Sequence, residues 1–84
     1  MKSKYVWKPE KNEWLKRERK ISFEIILEAI VDGGFKDLFE YRGSKQTHQG
    51  QKIMILEIQE ELWKIPLSIQ KNGLIFLRTA YLAE

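Results

Sequence analysis

LWKIPLSIQKNGLIFLRTAYL, residues 62–82, decides how this 84-residue chain is put together. Trp63, Ile65, Leu67 and Ile69 alternate with Lys64, Pro66 and Ser68, the period of two expected of a strand with one apolar and one polar face. A second apolar run, residues 74–82, follows directly after Lys71-Asn72-Gly73. So short a connection requires an antiparallel hairpin. The turn then sets the register. A two-residue Asn-Gly loop pairs Leu67 with Arg78 and turns that guanidinium toward the core. A three-residue loop with Gly73 left-handed pairs Ile69 with Ile75, Leu67 with Leu77, Ile65 with Thr79 and Trp63 with Tyr81, and moves Arg78 to the face of Lys64 and Ser68. Burying an unpaired guanidinium is far costlier than a slightly less common turn, which selects the second register. Pro66 has no N–H for the ladder, so a bulge or a gap in pairing is expected beside it.

Outward from this hairpin, residues 52–59 read as a further strand joined to residues 62–70 by a tight turn. Glu60 and Glu61 fall in that turn and read as solvent-facing residues. Glu57 lies opposite Met54, Leu56 and Ile58, where it can join Lys64 or Arg78, as a site or as a structural ion pair. Residues 37–41 form a short strand, and the polar stretch 42–51, with Gly43, Gly50 and the only histidine, His48, is a loop. Upstream, Ser22 is a good N-cap, and Phe23, Ile26, Leu27, Ile30 and Val31 recur at helical spacing until Gly33 and Gly34. An earlier helix over residues 10–20 follows Pro9, which suits a first helical turn, with Trp14 and Leu15 inward. Tyr5, Val6 and Trp7 make a strand-like start. The resulting order is β-α-α-β-β-β-β: a single α+β domain over residues 1–84, with two helices packed on one face of a small antiparallel sheet. The other face is partly open and basic.

Composition narrows the function. The chain is too short for a dinucleotide-binding sheet or a barrel enzyme. It has no cysteine, hence no disulfide framework, thiolate zinc site or thiol nucleophile. No uncharged run exceeds six residues, so neither a membrane span nor a signal peptide is expected. The net charge of +3 is unevenly spread: residues 1–20 sum to +5, residues 21–61 to −4 and residues 62–84 to +2. Such polarity suits a solvated surface, or one face for a polyanion and another for a basic partner.

P-loop, GxSxG and HExxH motifs are all absent, and neither a metal nor a cofactor is expected. RNA cleavage needs little machinery, because the nucleophile is the substrate's own 2′-hydroxyl. The protein supplies a base, charge at the phosphate and a proton for the leaving oxygen. Lys64, Arg78, Arg19, Lys52 and Tyr81 are the candidate residues, with His48 able to assist. For each, solubility charge or edge-strand protection is the competing reading.

Several stretches also resemble a known family. Trp7-Lys8-Pro9-Glu10-Lys11-Asn12 is similar to the W-D-x-x-K-N start of BrnT-type toxins, and Arg19-Lys20-Ile21-Ser22-Phe23-Glu24 to their K-H-G-V-S-F-E junction between two helices. BrnT-like relatives reading E-R-G-I-S-F-E and E-A-I-x-x-G-G are nearer still, with Glu28-Ala29-Ile30-Val31-Asp32-Gly33-Gly34 matching the second motif. Gln51-Lys52-Ile53 resembles N-Q-K-I, and Phe76-Leu77-Arg78-Thr79 resembles F-L-K-T. The likeness runs in order through nearly the whole chain. It implies a RelE-like fold and a cytoplasmic type II toxin that cleaves RNA without a metal. It also implies a BrnA-like antitoxin partner, through which alone the chain would meet DNA. The family's junction histidine corresponds to Arg19, as in the nearer relatives. Where those relatives continue into P-S-R-K and a basic helix, this chain reads Ala80-Tyr81-Leu82-Ala83-Glu84. The charge of that tail's arginine is then expected from Arg78, Arg19 or Lys52. The alternative is a catalytically degenerate protein of the same fold that binds RNA or an antitoxin without cleavage.

Overall fold

The computed structural model describes residues 4–40 and 51–83; His48 and the rest of the expected loop up to residue 50 lie outside them, whereas Gln51, expected in that loop, begins a strand. In chain order the elements are β1 (Tyr5–Val6), α1 (Pro9–Glu18), α2 (Phe23–Val31), β2 (Phe35–Glu40), β3 (Gln51–Ile58), β4 (Glu61–Ile69), β5 (Ile75–Leu77) and β6 (Tyr81–Leu82). This is an α+β fold with both helices on one side of the sheet. The strands run β1-β5-β4-β3-β2, with β6 also on β4. One expectation needs correcting: the sheet is mixed, not antiparallel. β1 lies parallel to β5, Tyr5 beside Ile75 and Val6 beside Phe76: β2 runs opposite to β1 after the two helices, and three successive antiparallel pairings bring β5 back to the direction of β1. The single expected strand over 74–82 is also two, β5 and β6.

The core forms where the apolar stripe of each helix meets the inner sheet face. Leu15 of α1, Phe23 and Ile26 of α2, and Leu56, Ile65 and Leu77 of the sheet are fully buried, each contributing about 1.5–3 kcal/mol of apolar burial. Trp7 stacks on Phe23 with ring centroids 5.3 Å apart. Trp14 is half-buried beneath two cations, Lys11 Nζ at 4.4 Å and the Arg19 guanidinium at 4.7 Å from its centroid. The stripe of α2 is shorter than its spacing suggests, since Val31, in the last turn, is 85% exposed.

The helices are joined by a polar latch. Asn12 is only 5% exposed. Its Oδ1 accepts the Phe23 N–H at 2.8 Å, and its Nδ2 donates to both carboxylate oxygens of Glu24 at 2.9 and 3.1 Å. Ser22 Oγ accepts the Ile25 N–H at 3.2 Å as the expected N-cap. The donors at the start of α2 are thus met from two elements at once. Hydrogen bonding from Asn12 holds the Glu24 carboxyl below its ordinary value; burial opposes this, while Glu24's own N–H, Ser22 and Lys16 assist. A depressed carboxylate contributes stability above its unfolded pKa and loses it as pH falls through the folded value. Glu24→Gln should therefore be less stable than the parent at neutral pH and converge on it in acid, as urea titrations across the carboxylate range will show.

α2 ends at Gly33 and Gly34 in a Schellman arrangement: the Gly34 N–H reaches Ala29 O at 2.8 Å and the Gly33 N–H reaches Ile30 O at 3.2 Å. At the other end of β3, the two-residue turn Gln59-Glu60 holds both residues at positive φ, 53° and 70°, the geometry of a type I′ hairpin that normally selects Asn-Gly. Glu60 is in the turn as expected, whereas Glu61 opens β4. The double change Gln59→Asn with Glu60→Gly should stabilise the protein by about 1 kcal/mol, read as a raised urea midpoint with unchanged slope.

The hairpin around Lys71-Asn72-Gly73 closes as expected over its first half. The Gln70 N–H reaches Leu74 O at 2.8 Å across a three-residue loop, and Gly73 sits at φ +87°. Leu67 pairs with Leu77 and Ile69 with Ile75. Beyond Leu77 the register changes, and that change builds the candidate site.

Candidate functional site

Pro66 accepts the Arg78 N–H at 2.9 Å through its carbonyl but has no N–H to return. Pairing lapses there, Ala80 turns into the core at 0% exposure, and the ladder resumes one residue late. Lys64 therefore pairs with Tyr81 and Trp63 with Leu82. The expected pairs Ile65–Thr79 and Trp63–Tyr81 are not formed. A slip of one residue exchanges the faces, so Tyr81 leaves the core side and stands directly opposite Lys64 on the outer face. Arg78 reaches the same face as expected, its Nη1 3.5 Å from Ser68 Oγ.

Register places three rows of side chains across that outer face. One holds Asp37, Ile55, Lys64 and Tyr81. The next holds Phe39, Ile53 and Pro66, whose carbonyl binds the Arg78 N–H. The third holds Gln51, Ser68 and Phe76. The face carries Lys64 and Arg78, as expected, together with the carboxylates Asp37 and Glu57, and it is more apolar and aromatic than expected: Ile53 is only 8% exposed, Phe39 is exposed and Phe76 half-buried. Phe39 and Phe76 were not singled out from sequence. Their alternation with Leu38 and with Leu77 was the available signal.

The other candidates do not join Lys64, Arg78 and Tyr81. Arg19 belongs to the helical layer, where its Nη1 donates to the Ala80 carbonyl and its guanidinium covers Trp14. It braces the bulge that turns Tyr81 outward. Lys52 pairs in register with Glu40 and Leu67, on the face toward the helices, with its Nζ 3.9 Å from Glu40. The position of His48 is outside the described residues. Glu57 does not reach Lys64 or Arg78 as an ion pair; Lys36, in the bulge of β2, takes it at 3.2 Å. Among the described residues no group of three or more His, Cys, Asp or Glu is placed to hold a metal ion, and no helix is long and apolar enough to cross a membrane.

What the arrangement can do follows from its groups. An ammonium and a phenol side by side, with a guanidinium in the adjacent row, can neutralise a phosphodiester and exchange protons with its oxygens. The aromatic and apolar residues between them offer a surface for unstacked bases. Comparison with known proteins gives no matching family model, no matching curated protein and no matching solved structure.

Proposed function

We propose that this protein is a metal-independent endoribonuclease toxin of the BrnT-like, RelE-fold kind, acting in the cytoplasm and neutralised by a BrnA-like, DNA-binding antitoxin. The observation that carries the reading is the pairing of Lys64 with Tyr81 beside Arg78 on an exposed sheet face. The sequence motifs quoted above support it independently. In the proposed reaction the Tyr81 oxygen accepts the proton of the RNA 2′-hydroxyl while its own O–H proton passes to a non-bridging phosphate oxygen, and the 2′-oxygen attacks the phosphorus. Arg78 balances the charge gathering on the non-bridging oxygens. The P–O5′ bond breaks, the Lys64 ammonium protonates the departing 5′-oxygen, and the amine so formed takes back the proton held by the phosphate. The products are a 2′,3′-cyclic phosphate and a 5′-hydroxyl, so no water, metal or cofactor is consumed.

Induced expression should arrest growth and fragment cellular RNA. Tyr81→Phe, which removes only the hydroxyl, should slow cleavage by about 100-fold, measured on purified protein with single-stranded RNA. Growth and RNA left intact by the parent chain would sink the proposal. A second reading, RNA or antitoxin binding without cleavage, is favoured by the commitment of Arg19 to Ala80 and Trp14, which removes one expected guanidinium from the face. RNA retained intact by the purified protein would select it.

A further inference from the structure

A cleft of about 310 Å³ opens between the start of α1 and the β5–β6 bulge, lined by Lys8, Lys11, Phe76, Leu77, Arg78 and Thr79. It is at the small end of ligand-binding cavities, roughly 300–1,000 Å³. Three of its six lining residues are cations and none is a carboxylate. Among the described residues Lys8, Lys11 and Arg78 enter no ion pair; Lys11 is held instead over the Trp14 ring. Like charges gathered around one concavity focus a positive potential there. A larger cavity at the C-terminal end of α2, about 440 Å³, has Glu28, Asp32 and Glu57 against Lys36 in its lining and would repel the same ligand.

We propose that the Lys8–Lys11–Arg78 cleft is a subsite for a backbone phosphate of single-stranded RNA, next to the phosphate cleaved at Lys64 and Tyr81. It rests on the reading of RNA as substrate. Arg78 belongs to both places, lining the cleft and approaching Ser68 on the outer face, so a strand crossing the face leads into the cleft. Phe76 lines the cleft and also occupies the third row of that face, where it offers a stacking surface to the neighbouring base. Thr79 adds a hydroxyl for a phosphate oxygen.

The test is the salt dependence of binding to a short fluorescent oligouridylate, with cleavage followed in parallel. Each phosphate contact on a single strand contributes about 0.7 to the slope of log K against log salt. Lys8→Gln with Lys11→Gln should lower that slope by about 0.7, the share of one phosphate, and weaken binding at least about tenfold at low salt. Lys8→Gln alone keeps the Lys11–Trp14 contact and should give about half the slope change. Lys16→Gln with Lys20→Gln, an equal charge loss farther along α1 and just beyond it, should leave the slope unchanged. An unchanged slope in the cleft variants, equal losses in both pairs, or no RNA binding by the parent protein would each overturn the subsite. RNA cleavage with unaltered KM in the cleft variant removes the subsite and leaves the ribonuclease reading standing. RNA bound through the cleft but never cut does the reverse.

Discussion

Replacing Asn12 with alanine should lower the unfolding free energy by about 3 kcal/mol, because one side chain serves both helices. The loss has two parts. The Phe23 N–H, bonded to Asn12 Oδ1 at 2.8 Å in a buried setting, is left without its acceptor, at a cost of about 1–3 kcal/mol. The Glu24 carboxylate also loses the donor that approaches both its oxygens, and hydrogen bonds to charged groups are worth about 1.5–3 kcal/mol. Water can recover part of the second loss, since Glu24 is exposed, but little of the first. Urea unfolding of Asn12→Ala should show the shift as a lower midpoint with unchanged slope. A shift below about 1 kcal/mol would mean that the latch adds little beyond ordinary packing.

Gly34→Ala should cost a similar amount, about 3 kcal/mol, for a steric reason. A Cβ at Gly34 would lie 2.5 Å from the backbone oxygen of Glu57 and 3.1 Å from that of Ala29. Both are main-chain atoms fixed by their neighbours. The Gly34 N–H bonds Ala29 O and its carbonyl accepts the Glu57 N–H, each at 2.8 Å. The methyl group can be accommodated only by prising the end of α2 from β3. Gly33 provides the comparison: a Cβ there meets nothing within 4 Å, although φ is +89°. Gly33→Ala should therefore lose only about 1 kcal/mol, from backbone strain alone. Equal losses at the two positions would contradict the steric account of Gly34.

These contrasts show which parts of the molecule were legible in the sequence. Local signals carried well. Ser22, the spacing from Phe23 to Ile26, and the glycine pair placed α2, and the cost of burying Arg78 selected the correct turn at Gly73. Long-range pairing did not carry: nothing near Tyr5 or Ile75 announces that they lie side by side in parallel. The candidate site was half legible. Arg78 and Lys64 reached the expected face because their register follows from the turn. Tyr81 reached it only through the bulge beyond Pro66, which depends on Ala80 being small enough to enter the core and on Arg19 bonding its carbonyl. Arg19 lies away from the outer face for a reason of the same kind: its acceptor is a carbonyl 61 residues away, which leaves no mark on the local sequence. Lys52 shares the parity of Met54, Leu56 and Ile58, so the alternation of its own strand puts it on the face toward the helices and away from Lys64.

The most direct measurement is the chemistry of the RNA ends left by the purified protein in excess EDTA. Single-stranded RNA should be cut to fragments with 2′,3′-cyclic phosphates and 5′-hydroxyls, and Arg78→Ala should slow the reaction by about 100-fold while its urea midpoint stays near that of the parent. RNA that remains intact, fragments with 5′-phosphates, or cleavage that the chelator abolishes would contradict a ribonuclease built from Lys64, Tyr81 and Arg78.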